Sequence, residues 1–252
     1  MAPDSAGTVG KALELLTCLG SFPHGASASQ LAQRVDYPFS TVYRLLNTLV
    51  STGYASFEPE TKHYRLGLRV FQLSHQVANA RGLNGLALPV LETLTAATGE
   101  SSLLSVLDGE RHLTVHKVDG PQFRITTDPG DHGPLHTTAL GKTLVAFSAP
   151  AHREHLVTTL ALPAQTPRSI TDRATFVAEI ERVRERGWAT QDEENDVGMA
   201  ALAVPVVAPG GRLLAALAVA APVFRRSAQE LEEFLPALRD AARQLALQLP
   251  PR

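Results

Sequence analysis

The eleven residues Ser40-Thr41-Val42-Tyr43-Arg44-Leu45-Leu46-Asn47-Thr48-Leu49-Val50 constrain this chain more than any other stretch. At 100° per residue from Ser40, Val42, Leu45, Leu46, Leu49 and Val50 fall between about 140° and 280°. Ser40, Thr41, Tyr43, Arg44, Asn47 and Thr48 fill the remaining arc. One side of this helix is purely apolar and must be buried. The other offers hydroxyls, an amide, a phenol and a guanidinium, with no acid. A merely solvated helix face usually mixes Glu with Lys. A helix laid in a DNA major groove instead needs donors and acceptors near its N-terminus, because base edges are read that way.

The flanking sequence supplies the frame. Val9, Ala12, Leu13, Leu16 and Leu19 recur at helical spacing and predict a first helix. Ser27-Ala28-Ser29-Gln30 has the pattern of a capping box opening a second, with Leu31 and Val35 behind it. Asp36-Tyr37-Pro38 interrupts, and a third helix is expected from about Pro38, a residue suited to a first turn, to before Gly53. A hairpin follows, with strands Tyr54–Phe57 and Lys62–Leu66 around Glu58-Pro59-Glu60-Thr61. Three helices and a hairpin outline a winged helix-turn-helix. Lys62, His63 and Arg65 lie on or beside the hairpin tip, where cations can meet phosphates or a minor groove, or can simply be solvated.

Charge limits how such a module works. The chain carries a formal net charge of −2, so it is no polycation. Over residues 1–78 six bases (Lys11, Arg34, Arg44, Lys62, Arg65, Arg69) stand against five acids (Asp4, Glu14, Asp36, Glu58, Glu60). Phosphate contacts supply much of DNA affinity, so one such copy binds weakly. Two copies on a palindrome-like site double the contacts, and an obligate dimer is expected.

Residues Asn79 to Gly85 have the composition of a linker or helix break. Beyond them a helix from Leu86 to Ala97 is expected, then a hairpin of Ser101–Leu107 and His112–Val118 around Asp108-Gly109. A third strand is expected at Phe123–Thr127 and a helix at Thr138–Phe147. Another helix, capped by Thr171 or Asp172, should run to Arg186 and stop at Gly187. A short strand at Trp188–Gln191 and a hairpin of Leu202–Val207 with Leu213–Ala220 come next. Ser227-Ala228-Gln229-Glu230 is read as a capping box for the last helix, which Pro236 can bend. Antiparallel hairpins with inserted helices indicate an α+β fold rather than a doubly wound sheet.

Other classes fit less well. Cys18 is the only cysteine, which excludes an internal disulfide framework and a cysteine-cluster zinc site and suits a reducing cytoplasm. No apolar run reaches membrane-spanning length and no leader pattern opens the chain, so no membrane association is expected. His112, His116, His132 and His136 share one region, and Asp131, His132 and His136 are the best metal candidates. They lie across loops and strands without a helical ligand motif, so no metal and no cofactor is expected. Glu193 and Glu194 are better suited to structural hydrogen bonds or ion pairs than to catalysis. Gly141-Lys142-Thr143 lacks the first glycine of a phosphate loop, since His136 stands there. No nucleophile elbow or dinucleotide fingerprint is present, and the chain is not expected to be an enzyme.

The sequence strongly resembles the isocitrate lyase regulator (IclR) family of bacterial transcription factors, over about residues 8 to 248. The resemblance rests on Gln30-Leu31-Ala32, Ser40 to Leu46 with Leu49 and Gly53-Tyr54, and Tyr64-Arg65-Leu66-Gly67. It continues through Pro134 to Lys142, Arg186-Gly187-Trp188-Ala189, Asp192-Glu193-Glu194, Gly198, Ala203-Val204-Pro205-Val206 and Pro222. It implies a winged helix-turn-helix over 1–66, a connecting helix and linker over 67–85, and a GAF-like effector-binding and oligomerisation domain over 86–252. It also implies a cytoplasmic homodimer or homotetramer on double-stranded DNA, controlled by a small-molecule effector, an organic or aromatic acid. The residues expected at DNA are Ser27, Ser40, Thr41, Tyr43, Arg44, Asn47, Lys62, His63 and Arg65.

For the effector, Thr137 to Gly141 opens a helix whose first N–H groups suit a carboxylate, although a threonine there also serves as an ordinary N-cap. The expected effector set is Thr138, Ala139, Leu140, Gln191, Ala201, Ala218 and Ala220. Family members often carry an acid at 191, Cys at 201, and Ser at 218 and 220. The substitutions present here imply a roomier, less polar cavity for a carboxylate with an apolar, aromatic-sized tail. The alternative is that these alanines only let a helix pack closely. Asp36 and Phe39 also depart from the usual Gly and base of the turn, so operator identity does not transfer. Leu68, Phe71, Leu73 and Val77 mark the connecting helix as the element expected to move on effector binding.

Overall fold

The structure, a computed structural model, describes residues 7–80 and 85–249. Contacts divide the chain into two compact units, Met1–Ala80 and Arg81–Arg252. Part of the expected linker, Arg81 to Asn84, lies outside the described residues.

The first unit holds α1 (Thr8–Gly20), α2 (Ala28–Arg34), α3 (Phe39–Ser51), β1 (Ala55–Glu58), β2 (His63–Leu66) and α4 (Leu68–Ala80). The capping box forms: the Gln30 N–H donates to Ser27 Oγ at 3.3 Å and the Ser27 N–H donates to Gln30 Oε1 at 2.9 Å. Pro38 is the N-cap of α3 and not part of its first turn. The core joins Leu15, Leu19, Leu31, Val42, Leu45, Leu46, Leu49, Ala55 and Tyr64. This corrects the expected inner face of α1. Leu15 is buried, whereas Val9 and Leu13 are exposed. Apolar spacing cannot choose between two apolar stripes on one helix, and the position of α3 decides it.

The second unit holds α5 (Ala87–Thr98), β3 (Ser101–Asp108), β4 (Arg111–Val118), β5 (His132–Pro134), α6 (Ala139–Phe147), α7 (Pro150–Thr159), α8 (Arg173–Arg186), β6 (Ala189–Asp192), β7 (Met199–Val207), β8 (Leu213–Pro222) and α9 (Leu235–Gln248). Six strands form one antiparallel sheet in the order β5-β4-β3-β8-β7-β6. Successive side chains face opposite sides. Leu103, Ala201, Ala203, Ala216, Ala218 and Ala220 meet Ala139, Leu140 and Leu144 of α6. On the other side, Ser102 Oγ donates to the Leu91 carbonyl of α5 at 3.1 Å, and α9 packs on β7 and β8. The sheet is thus sandwiched, with α7 and α8 behind α6.

Three expectations are corrected. Phe123–Thr127 is not a strand. Pro121 and Pro129 bracket it, and side chains rather than a ladder hold its carbonyls: Ser101 Oγ donates to Phe123 O at 3.2 Å and Lys117 Nζ to Ile125 O at 3.1 Å. The edge of the sheet is taken instead by β5. The box at Ser227 and Glu230 forms but opens a 3-10 turn, Glu230–Phe234, and Pro236 sits in the first turn of α9, where a proline is tolerated. Helix α7 was not expected; Pro150 at its start is the signal that could have shown it.

Candidate functional site

Each unit carries one candidate surface. In the first, α3 buries Val42, Leu45, Leu46 and Leu49 while Ser40, Tyr43, Arg44, Asn47 and Thr48 are exposed and Thr41 is half-buried. Phe39 points outward at 53% exposure and stacks on Tyr43, with ring centroids 6.3 Å apart. Phe39 extends the exposed face by one residue beyond what the polar residues alone mark out. On the hairpin, Lys62 and Arg65 are exposed and His63 is half-buried opposite Glu58. Lys62 adopts φ 55° where the turn enters β2. Ser27 differs from the rest: it is half-buried and its hydroxyl is committed to the cap of α2.

In the second unit a cavity of about 730 Å³ opens between the sheet and the start of α6. All seven residues singled out as effector candidates, Thr138, Ala139, Leu140, Gln191, Ala201, Ala218 and Ala220, line it. Sheet order explains the convergence. Gln191 on β6 lies opposite Ala201 on β7, Ala201 lies opposite Ala220 on β8, and Ala218 lies opposite Leu103 on β3. The alanine stripe divides its work: Ala203 and Ala216 only pack under α6, whereas Ala201, Ala218 and Ala220 also face the cavity.

Thr138 is the N-cap of α6. Its Oγ1 donates to the Pro134 carbonyl at 2.7 Å and accepts from the Gly141 N–H at 3.0 Å. The N–H groups of Ala139 and Leu140, in the first turn, have no acceptor within the helix. Gly141 is required, since a Cβ there would stand 2.5 Å from Leu135 Cα and 2.7 Å from the Pro134 carbonyl. That close approach fixes the first turn against the loop before it.

Lys142, absent from the expected site, lies outside the cavity lining but holds Glu194, the chain neighbour of the lining residue Asn195. It is 1% exposed. Its ammonium donates to both Glu194 oxygens at 2.7 and 2.8 Å and stands 3.5 Å from Glu179. Burial raises the Glu194 carboxyl above its usual range despite Lys142. At Glu179 burial pulls the same way, but Lys142, Arg182 and Arg186 together hold the carboxyl below it. Thr137 Oγ1 donates to Asn195 Oδ1 at 2.8 Å. Together these bonds tie the cavity-lining loop Asn195–Gly198 to α6. Glu193 accepts from the Gly198 N–H at 2.8 Å, so both glutamates of the acidic run have structural partners.

Asp131, His132 and His136 do not converge. Asp131 accepts from the Asp128 N–H at 2.7 Å, His132 meets Asp108 at 2.8 Å, and His136 meets the Pro163 carbonyl at 2.9 Å. Among the described residues no group of three His, Cys, Asp or Glu is placed to hold a metal ion. Sequence reasoning missed several cavity residues: His112, Ile125, the Asn195–Met199 loop, and Phe123 with Phe224, whose rings meet edge-on at 6.3 Å.

Two family descriptions match this chain. The IclR helix-turn-helix domain matches residues 8–59, and the bacterial transcriptional regulator IclR C-terminal matches residues 75–247. The chain belongs to the IclR family. It is similar to the HTH-type transcriptional regulator KdgR of Escherichia coli, with 31% identity over 98% of this chain and 94% of that protein. It is also similar to the HTH-type transcriptional regulator BhcR of Paracoccus denitrificans, with 30% identity over 100% of this chain and 91% of the relative. A solved IclR homologue from Microbacterium hydrocarbonoxydans, complexed with 4-hydroxybenzoate, shares the fold at TM-score 0.85, with 22% identity over 96% of this chain and 98% of that one. This IclR-family protein is accordingly a DNA-binding transcriptional regulator and not an enzyme. No helix among its described residues is long and apolar enough to cross a membrane.

Proposed function

We propose that α3 reads operator DNA in the major groove through Ser40, Thr41, Tyr43, Arg44 and Asn47, with Lys62, His63 and Arg65 of the hairpin on the backbone or minor groove. The observation that carries this reading is the two-sidedness of α3: four buried aliphatic side chains on one face, and on the other polar or aromatic groups that are exposed apart from the half-buried Thr41. Ser27 belongs to the same surface chiefly through its capping of α2. A single unit with a net charge near zero binds weakly, so the protein works as a homodimer or a pair of dimers on a palindrome-like operator in the cytoplasm. Val9 and Leu13 on α1 and Leu68 and Val77 on α4, all more than half exposed, are the apolar surface such pairing would cover.

The cavity of the second unit takes the effector. A carboxylate sits at the N-terminus of α6, where free N–H groups and the positive helix end favour an anion. Its apolar body lies against Leu140, Ala201, Ala218 and Ala220. The volume supports this reading, as does the aromatic acid bound by the Microbacterium protein. Effector binding shifts the protein between geometries of different operator affinity through α4, with a coupling of about 1–3 kcal/mol.

Selection of bound sequences from a random DNA pool by the purified full chain tests the first half; failure to enrich an inverted repeat would sink it. Calorimetric titration with a panel of aliphatic and aromatic acids tests the second. Preference for acids of two or three carbons over larger ones would overturn the apolar-tail reading.

A further inference from the structure

His112 is one of the polar groups in this cavity that the family resemblance did not mark. It lies on β4, paired with Leu107 and Gly133, and lines the cavity at 3% exposure. Neither ring nitrogen has a hydrogen-bond partner in the protein. Of the other polar groups in the lining, Asp131 is engaged with the Asp128 backbone, His132 with Asp108, and Asn195 with Thr137 and Asp196. The ring is also held in place. A Cβ on residue 133 would lie 2.2 Å from His112 Nε2, so only glycine there leaves the imidazole its position.

A buried polar group without a partner is destabilising, and native proteins rarely tolerate one without a use. We propose that His112 is a specificity residue of the effector cavity and hydrogen-bonds a hydroxyl carried on the effector, which makes the effector class a hydroxylated aromatic acid. This rests on the reading of the cavity as the effector site. A neutral imidazole presents one N–H donor and one lone pair. A hydroxyl suits either nitrogen, since it can accept from the first or donate to the second. The carboxylate has its own place at the first turn of α6. The ionisable groups whose charge His112 feels are Arg111 and His132; together with burial, which dominates, they hold its pKa down to about 4. The ring is therefore neutral throughout the physiological range.

The test is calorimetry of the full chain at pH 7.5 with benzoate, 3-hydroxybenzoate and 4-hydroxybenzoate. At least one hydroxylated acid should bind about tenfold more tightly than benzoate, the difference a satisfied buried hydrogen bond makes. His112→Leu should abolish the preference, bringing the ratio of the hydroxylated acid's affinity to that of benzoate, both measured on the variant, to about one. His112→Asn, which keeps a donor and an acceptor, should retain part of the preference. As a readout that needs no variant, ring nitrogen resonances of 15N-histidine-labelled wild type should shift at His112 when the hydroxylated acid is added. Equal binding of all three acids, or a hydroxyl preference that survives His112→Leu, overturns the inference and leaves the cavity reading intact. If none of the three binds, the inference falls, and titration of aliphatic acids in the same instrument decides the cavity reading separately.

Discussion

The two units make their sites in opposite ways. The surface of α3 is convex, and its side chains come from one run between Ser40 and Asn47. The cavity is concave, and its walls come from Leu103, His112, Thr138, Gln191, Ala218 and other residues far apart in sequence. A convex site needs only a correctly buried back face, so it survives many changes elsewhere. A concave site needs every wall held in place, and in this protein Lys142 and the β-sheet register do the holding.

The largest expected effect breaks one unit and spares the other. Lys142→Met leaves Glu194 and Glu179 buried without their shared cation and should cost about 3–5 kcal/mol. Urea unfolding of the full chain should show a weakened transition for the sheet unit and an unchanged one for the winged unit. A single transition shifted as a whole would show that the two units do not unfold independently.

Acid should separate the units next. His112 is neutral when folded, with a pKa near 4, but protonates below about 6.5 when unfolded. The unfolded chain therefore binds the extra proton in this window, and stability is lost as pH falls from about 6.5 towards 4, by on the order of 3 kcal/mol. His136, lowered chiefly by burial, contributes with the same sign. His112→Leu should flatten much of this acid limb in thermal melts across that range. An unaltered limb would mean that the ring is solvated in the folded protein.

On the convex surface, Arg44→Ala should cost about 1–3 kcal/mol of discrimination between the selected operator and its variants, with the fold unaffected. Equal weakening on all sequences, measured by anisotropy titrations, would mark Arg44 as a phosphate contact. The smallest effect is Ser27→Ala, which removes the cap of α2 and should lower the stability of the winged unit by about 1 kcal/mol. A loss of operator affinity beyond that of a destabilised control would show that Ser27 touches DNA directly.

The elements whose evidence is local were legible in the sequence. The faces of α3, the Ser27–Gln30 box, the Asp172 cap with the Gly187 stop, and the Asp108-Gly109 hairpin all follow from spacings of a few residues. The cavity was legible in part: its first turn and alanine stripe were marked by resemblance, but the walls opposite them were not. Phe123–Ile125 has the composition of a strand, yet proline brackets and side-chain tethers keep it out of the sheet.

Periodicity alone determined that Val42, Leu45, Leu46 and Leu49 turn inward and Arg44 outward, because a helix repeats every 3.6 residues whatever it packs against. Only the tertiary structure decided that His112 ends in a cavity, that Gly133 gives its ring room, and that Lys142 is buried between two glutamates. Strand pairing joins segments far apart in the chain, and a shift of one residue sends each side chain to the opposite face. A buried charge or an unpaired imidazole is a property of that register, and the residues beside it in sequence carry no trace of it.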